Sequence, residues 1–239
     1  MDTKKQNEVV VVENSDITVS SYAVAGANLA GVLAEEMEGL NITFDRIKTP
    51  IGGGTMFEMP SDDPDNPDMA KDFKAVILYH HPIHSYYKEK YTGGNTPPDC
   101  SSIDGVKGVD SDGVISDCKD CPKGQFGSGE NGSKLCRQKR RLYVLRENET
   151  LPTLFSLPTT SLADFSKYIM RLLSRGKKSS AVVTKFTLKK ATNAGGIAYS
   201  QVICVSDRDL TAEEVTSIST MAEQVKRFAG KAAAMEAED

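Results

Sequence analysis

At 239 residues, 39% hydrophobic and 26% charged, the chain can bury a core and fits one domain, or one domain with a small insertion. Its formal net charge of −4 excludes a general polycation, so any nucleic-acid surface must come from the placement of basic residues. No apolar run approaches the ~20 residues a membrane helix needs, and the polar opening MDTKKQNEVVVVENSD lacks a signal-peptide core, so a soluble cytoplasmic protein is expected.

Residues 1–20 are polar around Val9–Val12 and read as a flexible arm or first strand. Leu29, Val32, Leu33 and Met37 recur at helical spacing, with Gly39 as the stop. Ile42, Phe44 and Arg46 begin a strand. Gly52–Gly54 then turn the chain into Met56, Phe57 and Met59. The acidic, proline-broken segment 61–68 is a surface loop whose aspartates lack the calcium-loop order, and Phe73–Tyr79 is a buried strand. Arg141–Arg146 is strand-like. Ser161 with Asp164 suggests a capping box before a helix along Leu162, Phe165, Ile169, Leu172 and Leu173, stopping near Gly176. Val182–Leu188, the loop ATNAGG and Ile197–Val205 predict a β-hairpin. Thr211 with Glu214 marks a second capping box, before a helix faced by Val215, Ile218, Ala222, Val225 and Phe228.

Six or seven short strands and three helices without regular alternation argue against a doubly wound sheet. The expected fold is α+β: a small antiparallel barrel of the oligonucleotide-binding kind, flanked by helices and interrupted by a metal-ordered insertion. The expected divisions are 1–20 arm, 21–91 first part of the barrel, 92–136 insertion, 137–230 second part with helices, and 231–239 acidic tail.

The insertion rests on Cys100-x17-Cys118-x2-Cys121-x14-Cys136, in a stretch rich in Gly, Asp, Ser and Pro. A segment this long without periodicity needs something other than a core to order it. In CKDCPKG, Pro122 and Gly124 favour a tight knuckle, and four thiolates complete a tetrahedral shell around one zinc ion. Such a shell is closed to water and hence structural. The competing readings are free cysteines or a CxxC redox pair, and a redox pair belongs between a strand and a helix. Cys204 sits in a strand and reads as core.

His80, His81 and His84 cluster in YHHPIHSYY. They read as a strand end, as a second metal site, or as one ligand in place of Cys100. Pro82 excludes the helical i, i+4 metalloprotease pair. No phosphate-binding loop or nucleophile elbow is present, so no enzyme is expected.

Positive charge gathers in residues 137–190. Arg137, Lys139, Arg140, Arg141 and Arg146 follow the last cysteine. Lys167, Arg171, Arg175, Lys177 and Lys178 lie on and after the middle helix, and Lys185, Lys189 and Lys190 on the hairpin. Tyr143, Tyr168, Phe186 and Tyr199 are interleaved with them. Tyr79, Tyr86, Tyr87 and Tyr91 join Lys88 and Lys90 just before the insertion. Basic side chains with aromatic platforms are what single strands require. The expected contacts are Arg137, Lys139, Arg140, Arg141, Tyr143, Tyr87, Lys88 and Lys185. The acidic terminus MEAED is expected to recruit replication or recombination proteins.

The runs PPDCSSIDG, CKDCPKGQFGSG, LCRQKRRLYVL and LPTTSLADFSKYI resemble proteins of tailed phages and integrated mobile elements. The arrangement resembles phage single-stranded DNA-binding proteins in which a zinc segment interrupts an oligonucleotide-binding barrel. The resemblance spans about residues 92–170 and implies a strand-coating protein of replication or recombination, working in the host cytoplasm, with the four cysteines as ligands. The alternatives are a zinc-stabilised protein-interaction module and a metal-dependent nuclease using the histidines and the acidic loop.

Overall fold

Alternation of apolar side chains along two long neighbouring strands sets the architecture. The structure, a computed structural model, describes Tyr22, Gly31 and residues 35–40, 43–63, 65–89, 97–193 and 195–235. The readings on Val9–Val12, Leu29, Val32, Leu33, Ile42, Lys90, Tyr91 and the last four residues lie outside these. In chain order come β1 (Arg46–Ile47), β2 (Phe57–Met59), β3 (Asp68–Ala70), β4 (Asp72–Tyr86), β5 (Cys100–Ser102), β6 (Lys107–Asp110) and β7 (Ile115–Asp117). Then follow β8 (Arg137–Arg146), β9 (Thr153–Leu157), α1 (Leu162–Leu173), β10 (Val182–Thr192), β11 (Ala198–Asp209) and α2 (Ala212–Met235). Of the first expected helix, Gly31, Glu35 and Glu36 are helical, and Gly39 closes it with φ 75°.

Nine strands form one sheet running β1-β9-β8-β4-β5-β6-β7, with β10 also paired to β4 and β11 to β10; β2 and β3 pair separately. All pairings in the large sheet are antiparallel except β1 with β9. The class is α+β, as expected, but the described strands close no barrel. The physical reason lies in the two faces. Both are apolar in the central strands and each is covered by a helix, so the sheet is the middle layer of a sandwich and has no interior of its own.

On the first face, Ala75 and Ile77 of β4 and Leu142 and Val144 of β8 pack against Phe165, Tyr168 and Leu172 of α1. Phe57, Phe73, Phe155 and Phe186 form one ring cluster there. Phe73 stacks on Phe186 at 4.7 Å, and Phe57 meets Phe73 edge-on at 4.9 Å. On the second face, Val76, Leu78, Tyr143 and Leu145 pack against Ile218, Met221, Val225 and Ala229 of α2. The expected α2 stripe is rotated: Met221 is buried and Val215 is 37% exposed.

Two caps were expected, and the structure separates them. At Thr211 the box forms: Glu214 N donates to Thr211 Oγ1 (3.3 Å) and Thr211 N to Glu214 Oε2 (2.8 Å). The fully buried Glu214 also takes two 2.8 Å bonds from Arg208. Ser161 makes no cap. Its buried hydroxyl accepts the Val202 backbone N–H of β11 at 2.9 Å, while Asp164 accepts from Gln201 at 2.6 Å. These side chains fasten α1 to β11, and Tyr168 adds a buried 2.7 Å bond to Thr184 of β10. The hairpin forms as expected, closed by Asn193 accepting from Gly195 and Ile197. No helix among the described residues is long and apolar enough to cross a membrane.

Removing the Ser161 hydroxyl orphans a buried strand amide. Ser161→Ala should therefore cost about 1–3 kcal/mol in urea unfolding. A cost near zero would show that water or another group satisfies Val202.

Candidate metal centre

The outer halves of β4 and β8 leave the core as a two-stranded arm. The arm continues the register His81–Arg141 through Ser85–Arg137, and β5, β6 and β7 join its far end. The cysteine segment is thus hydrogen-bonded onto the main sheet. Its four cysteines are placed by separate local structures. Cys100 opens β5, between Tyr86 of β4 and Asp110 of β6. Cys118 follows β7, its N–H donating to Val106 O at 2.8 Å. Cys121 precedes a single 3-10 turn, Pro122–Gly124, in which Gly124 N–H returns to Cys121 O at 3.0 Å. Cys136 precedes β8 and donates its N–H to Lys123 O at 2.8 Å, which ties the knuckle to the arm.

All four line one cavity of about 20 Å³. Gly108 forms part of its wall, where a Cβ would stand 3.1 Å from Cys100 Sγ and 3.5 Å from Cys118 Sγ. The thiols share this wall without closing into a shell: no group of three or more His, Cys, Asp or Glu side chains among the described residues stands at metal-holding spacing. Their electrostatics record the crowding. Burial first, and then the neighbouring cysteines, push the Cys136 thiol up to about 11. Burial and Cys118 raise Cys100, and burial raises Cys118. Four thiolates cannot coexist here without a cation. The donor set, four thiols lining one cavity, fits a soft tetrahedral ion.

The three histidines do not converge. A bulge at Leu78, between Ile77 and Tyr79, shifts the alternation of β4 by one residue. His80 and His84 then share the α1 side of the arm, and His81 points to the other. His80 Nδ1 accepts from Arg140 Nε at 2.7 Å, and its ring meets Phe165 edge-on at 5.2 Å. Burial, and next the Arg140 charge, push its pKa down to about 4. His81 stacks on Tyr79 at 5.6 Å and is lowered by burial. His84 alone of the three reaches the thiol cavity; burial and then Lys134 lower it.

The expected DNA contacts separate sharply. Among the described residues, Arg137, Lys139, Arg140 and Arg141 have no carboxylate within 4.0 Å, whereas Lys185 pairs with Asp72 at 3.3 Å; of the other basic residues, Lys167 pairs with Asp164 and Lys177 with Asp209, while Arg171, Arg175, Lys178, Lys189 and Lys190 have no carboxylate within 4.0 Å. Lys185 stands opposite Lys74, eleven residues along β4 from Ser85, about 35 Å from the arm's end. Tyr143 is 4% exposed in the core, and Tyr168 and Phe186 are also buried, so their rings offer no platform. Tyr87 and Lys88 follow β4; the Lys88 N–H bonds Asp99 Oδ2 at 2.7 Å and braces the neck of the insertion.

Sequence reasoning missed one aromatic residue at the arm's end, Phe126. Phe126 is 83% exposed, with the Lys134 ammonium 4.5 Å from its ring centroid, and Lys123 lies 4.1 Å over Tyr86. The signal was the single aromatic in the knuckle loop QFGSG. The cysteine loops themselves are acidic: residues 97–136 carry seven Asp/Glu against four Lys. Several of those carboxylates are engaged, as Asp104 accepts the Val106 and Lys107 amides at 2.6 and 3.0 Å and Asp110 those of Asp112 and Val114. β8 thus carries, within the five residues 137–141, four cations without a carboxylate partner among the described residues. The chain matches no protein-family model, no curated protein and no solved structure.

His80 gives a pH test. Native His80 takes its proton near pH 4, an unfolded histidine near 6.5. The fold's gain from this group is complete above pH 6.5 and is lost as the pH falls towards 4, about 3 kcal/mol in all. Urea unfolding across that range, with an NMR titration of the ring, checks it. A midpoint for His80 near 6.5 would refute the buried neutral state.

Proposed function

We propose that this chain is a non-enzymatic single-stranded DNA-binding protein of the phage or mobile-element type. In this reading one structural zinc ion on Cys100, Cys118, Cys121 and Cys136 orders residues 97–136. The observation that carries it is the run of cations on β8 without carboxylate partners, set on an arm whose end is gathered by four thiols. Unpaired cations close together on one strand hold their charge for an external anion, whereas Lys167, Lys177 and Lys185 have theirs offset. Lys139, Arg140 and Arg141 neutralise phosphates, with Arg137 beside the metal. Phe126 and Tyr87 supply stacking, and Tyr143 braces the arm from within. Binding is sequence-tolerant and weakens steeply with salt. The acidic end recruits replication or recombination proteins in the host cytoplasm.

Zinc, when bound, supplies a fixed tetrahedral crosslink between the knuckle, β5 and the start of β8, and no open coordination position. Purified protein should carry one zinc per chain, lost in Cys118→Ser or Cys121→Ser. Gly108→Ala, which drives a methyl group between two sulfurs, should weaken zinc at least tenfold in chelator competition. A metal-free native protein with unchanged unfolding would remove zinc from the account.

Fluorescence anisotropy with labelled oligonucleotides tests the binding. Lys139→Ala and Arg141→Ala should each weaken every single strand alike and lower the salt slope by about 1, while Lys185→Ala leaves both unchanged. Salt-insensitive or undetectable binding would sink the reading.

A further inference from the structure

Between α1 and the first face of the arm lies an open cleft of about 480 Å³. Its two walls differ in chemistry. The helix side is apolar: Phe165, Ile169 and Met170, the last 63% exposed. The strand side carries His80, His84, Gln138, Lys139 and Arg140. The cleft is made by the β4 bulge, since alternation without Leu78's extra position would turn His80 and Pro82 to the opposite face. We propose that this cleft holds one nucleobase of a bound single strand against the α1 wall, with the adjoining phosphate on the Arg140 guanidinium.

Three features select this occupant over a purely apolar one. Arg140 is half-withdrawn from water, and its guanidinium has no carboxylate within 4.0 Å among the described residues. A cation in that position calls for an anion. Its Nε is fixed by His80 Nδ1 at 2.7 Å, so the guanidinium plane is set before a ligand arrives. His80 stays neutral through the physiological range, so its ring can face a base edge while the cations of the wall, Arg140 and Lys139, face phosphate. An amphipathic anion with a flat apolar part matches both walls, and the volume lies within the ordinary range of ligand sites. A nucleotide unit of the strand that β8 attracts is such a group. The inference rests on the strand-binding reading and adds to it a base-holding site that phosphate contacts alone do not need.

The chain has no tryptophan, so Met170→Trp places a unique fluorophore at the cleft mouth. Oligothymidine should quench it, and an abasic backbone of equal length and charge should not. A second variant, Ser166→Trp, fills the cleft from an exposed helix position. It should weaken oligothymidine about tenfold while leaving the abasic backbone unchanged, with the melting temperature of both variants checked against the parent. Equal affinity of the parent for the two oligomers, or equal quenching by them, overturns the cleft and leaves strand binding standing. Failure of the parent to bind either oligomer overturns both.

Discussion

The pairing of β4 governs everything described above. β8 runs beside it from Ala75 to Ser85, but its other edge is shared in succession, by β10 over Asp72–Val76 and by β5 over His84–Tyr86. Between them, residues 77–83 have a single neighbour. The inner half of β4 is therefore a central strand, apolar on both faces and covered by both helices. The outer half has to stand on a two-stranded ribbon. The continuous apolar run ends at Leu78 and YHHPIH follows, so the sequence changes character close to where the second partner is lost. Pro82 sits in the gap, where no ladder bond on that edge is required of it, and Gly105 packs on its ring so closely that a Cβ would stand 2.6 Å from Pro82 Cγ.

That arrangement explains which features were legible in the sequence. The hairpin, the Thr211–Glu214 box and α1 are written in contiguous residues, and local patterns revealed them. Ser161 and Asp164 had the local pattern of a cap, yet a strand forty residues away claims the serine hydroxyl; a buried amide with no other partner outweighs an exposed helix end. Tyr143, Tyr168 and Phe186 looked available because aromatic type says nothing about face. Their burial follows from which strands neighbour β8, α1 and β10, and sheet order is set by contacts distant in sequence. The length of β4 was hidden for a related reason: proline and three histidines resemble the end of a strand unless the single-partner gap is known. The cysteines were legible as a group because their spacing surrounds one loop system, although their approach to one cavity depends on Gly108 and Lys123, which carry no motif.

The chemistry of the arm is also divided. On the α1 side, His80 and Arg140 are half-buried and held by each other, which favours a defined small contact. Lys139, which also lines the cleft, is lowered in pKa by burial and by the like charge of Arg137. Neither Lys139 nor Arg137 has a carboxylate within 4.0 Å among the described residues, a condition that favours an incoming polyanion. A strand passing over the end of the arm would meet diffuse charge beside a shaped cleft.

The proposed metal bears on the same charges. Four thiolates and one divalent ion carry a net charge of about −2, in a site whose thiols favour the neutral form without it. Arg137 follows Cys136 directly, and Lys123 and Lys134 flank the same end. Their charge offsets the centre first, because Coulomb attraction falls with distance and is screened beyond ~10 Å. Arg140 and Arg141 lie four and five residues along the chain from Cys136, about 13–16 Å of extended strand. At that distance the centre no longer neutralises them, and they remain for a ligand. The proposed metal and the proposed ligand would thus draw on different ends of one basic strand, so that a single β8 could serve both.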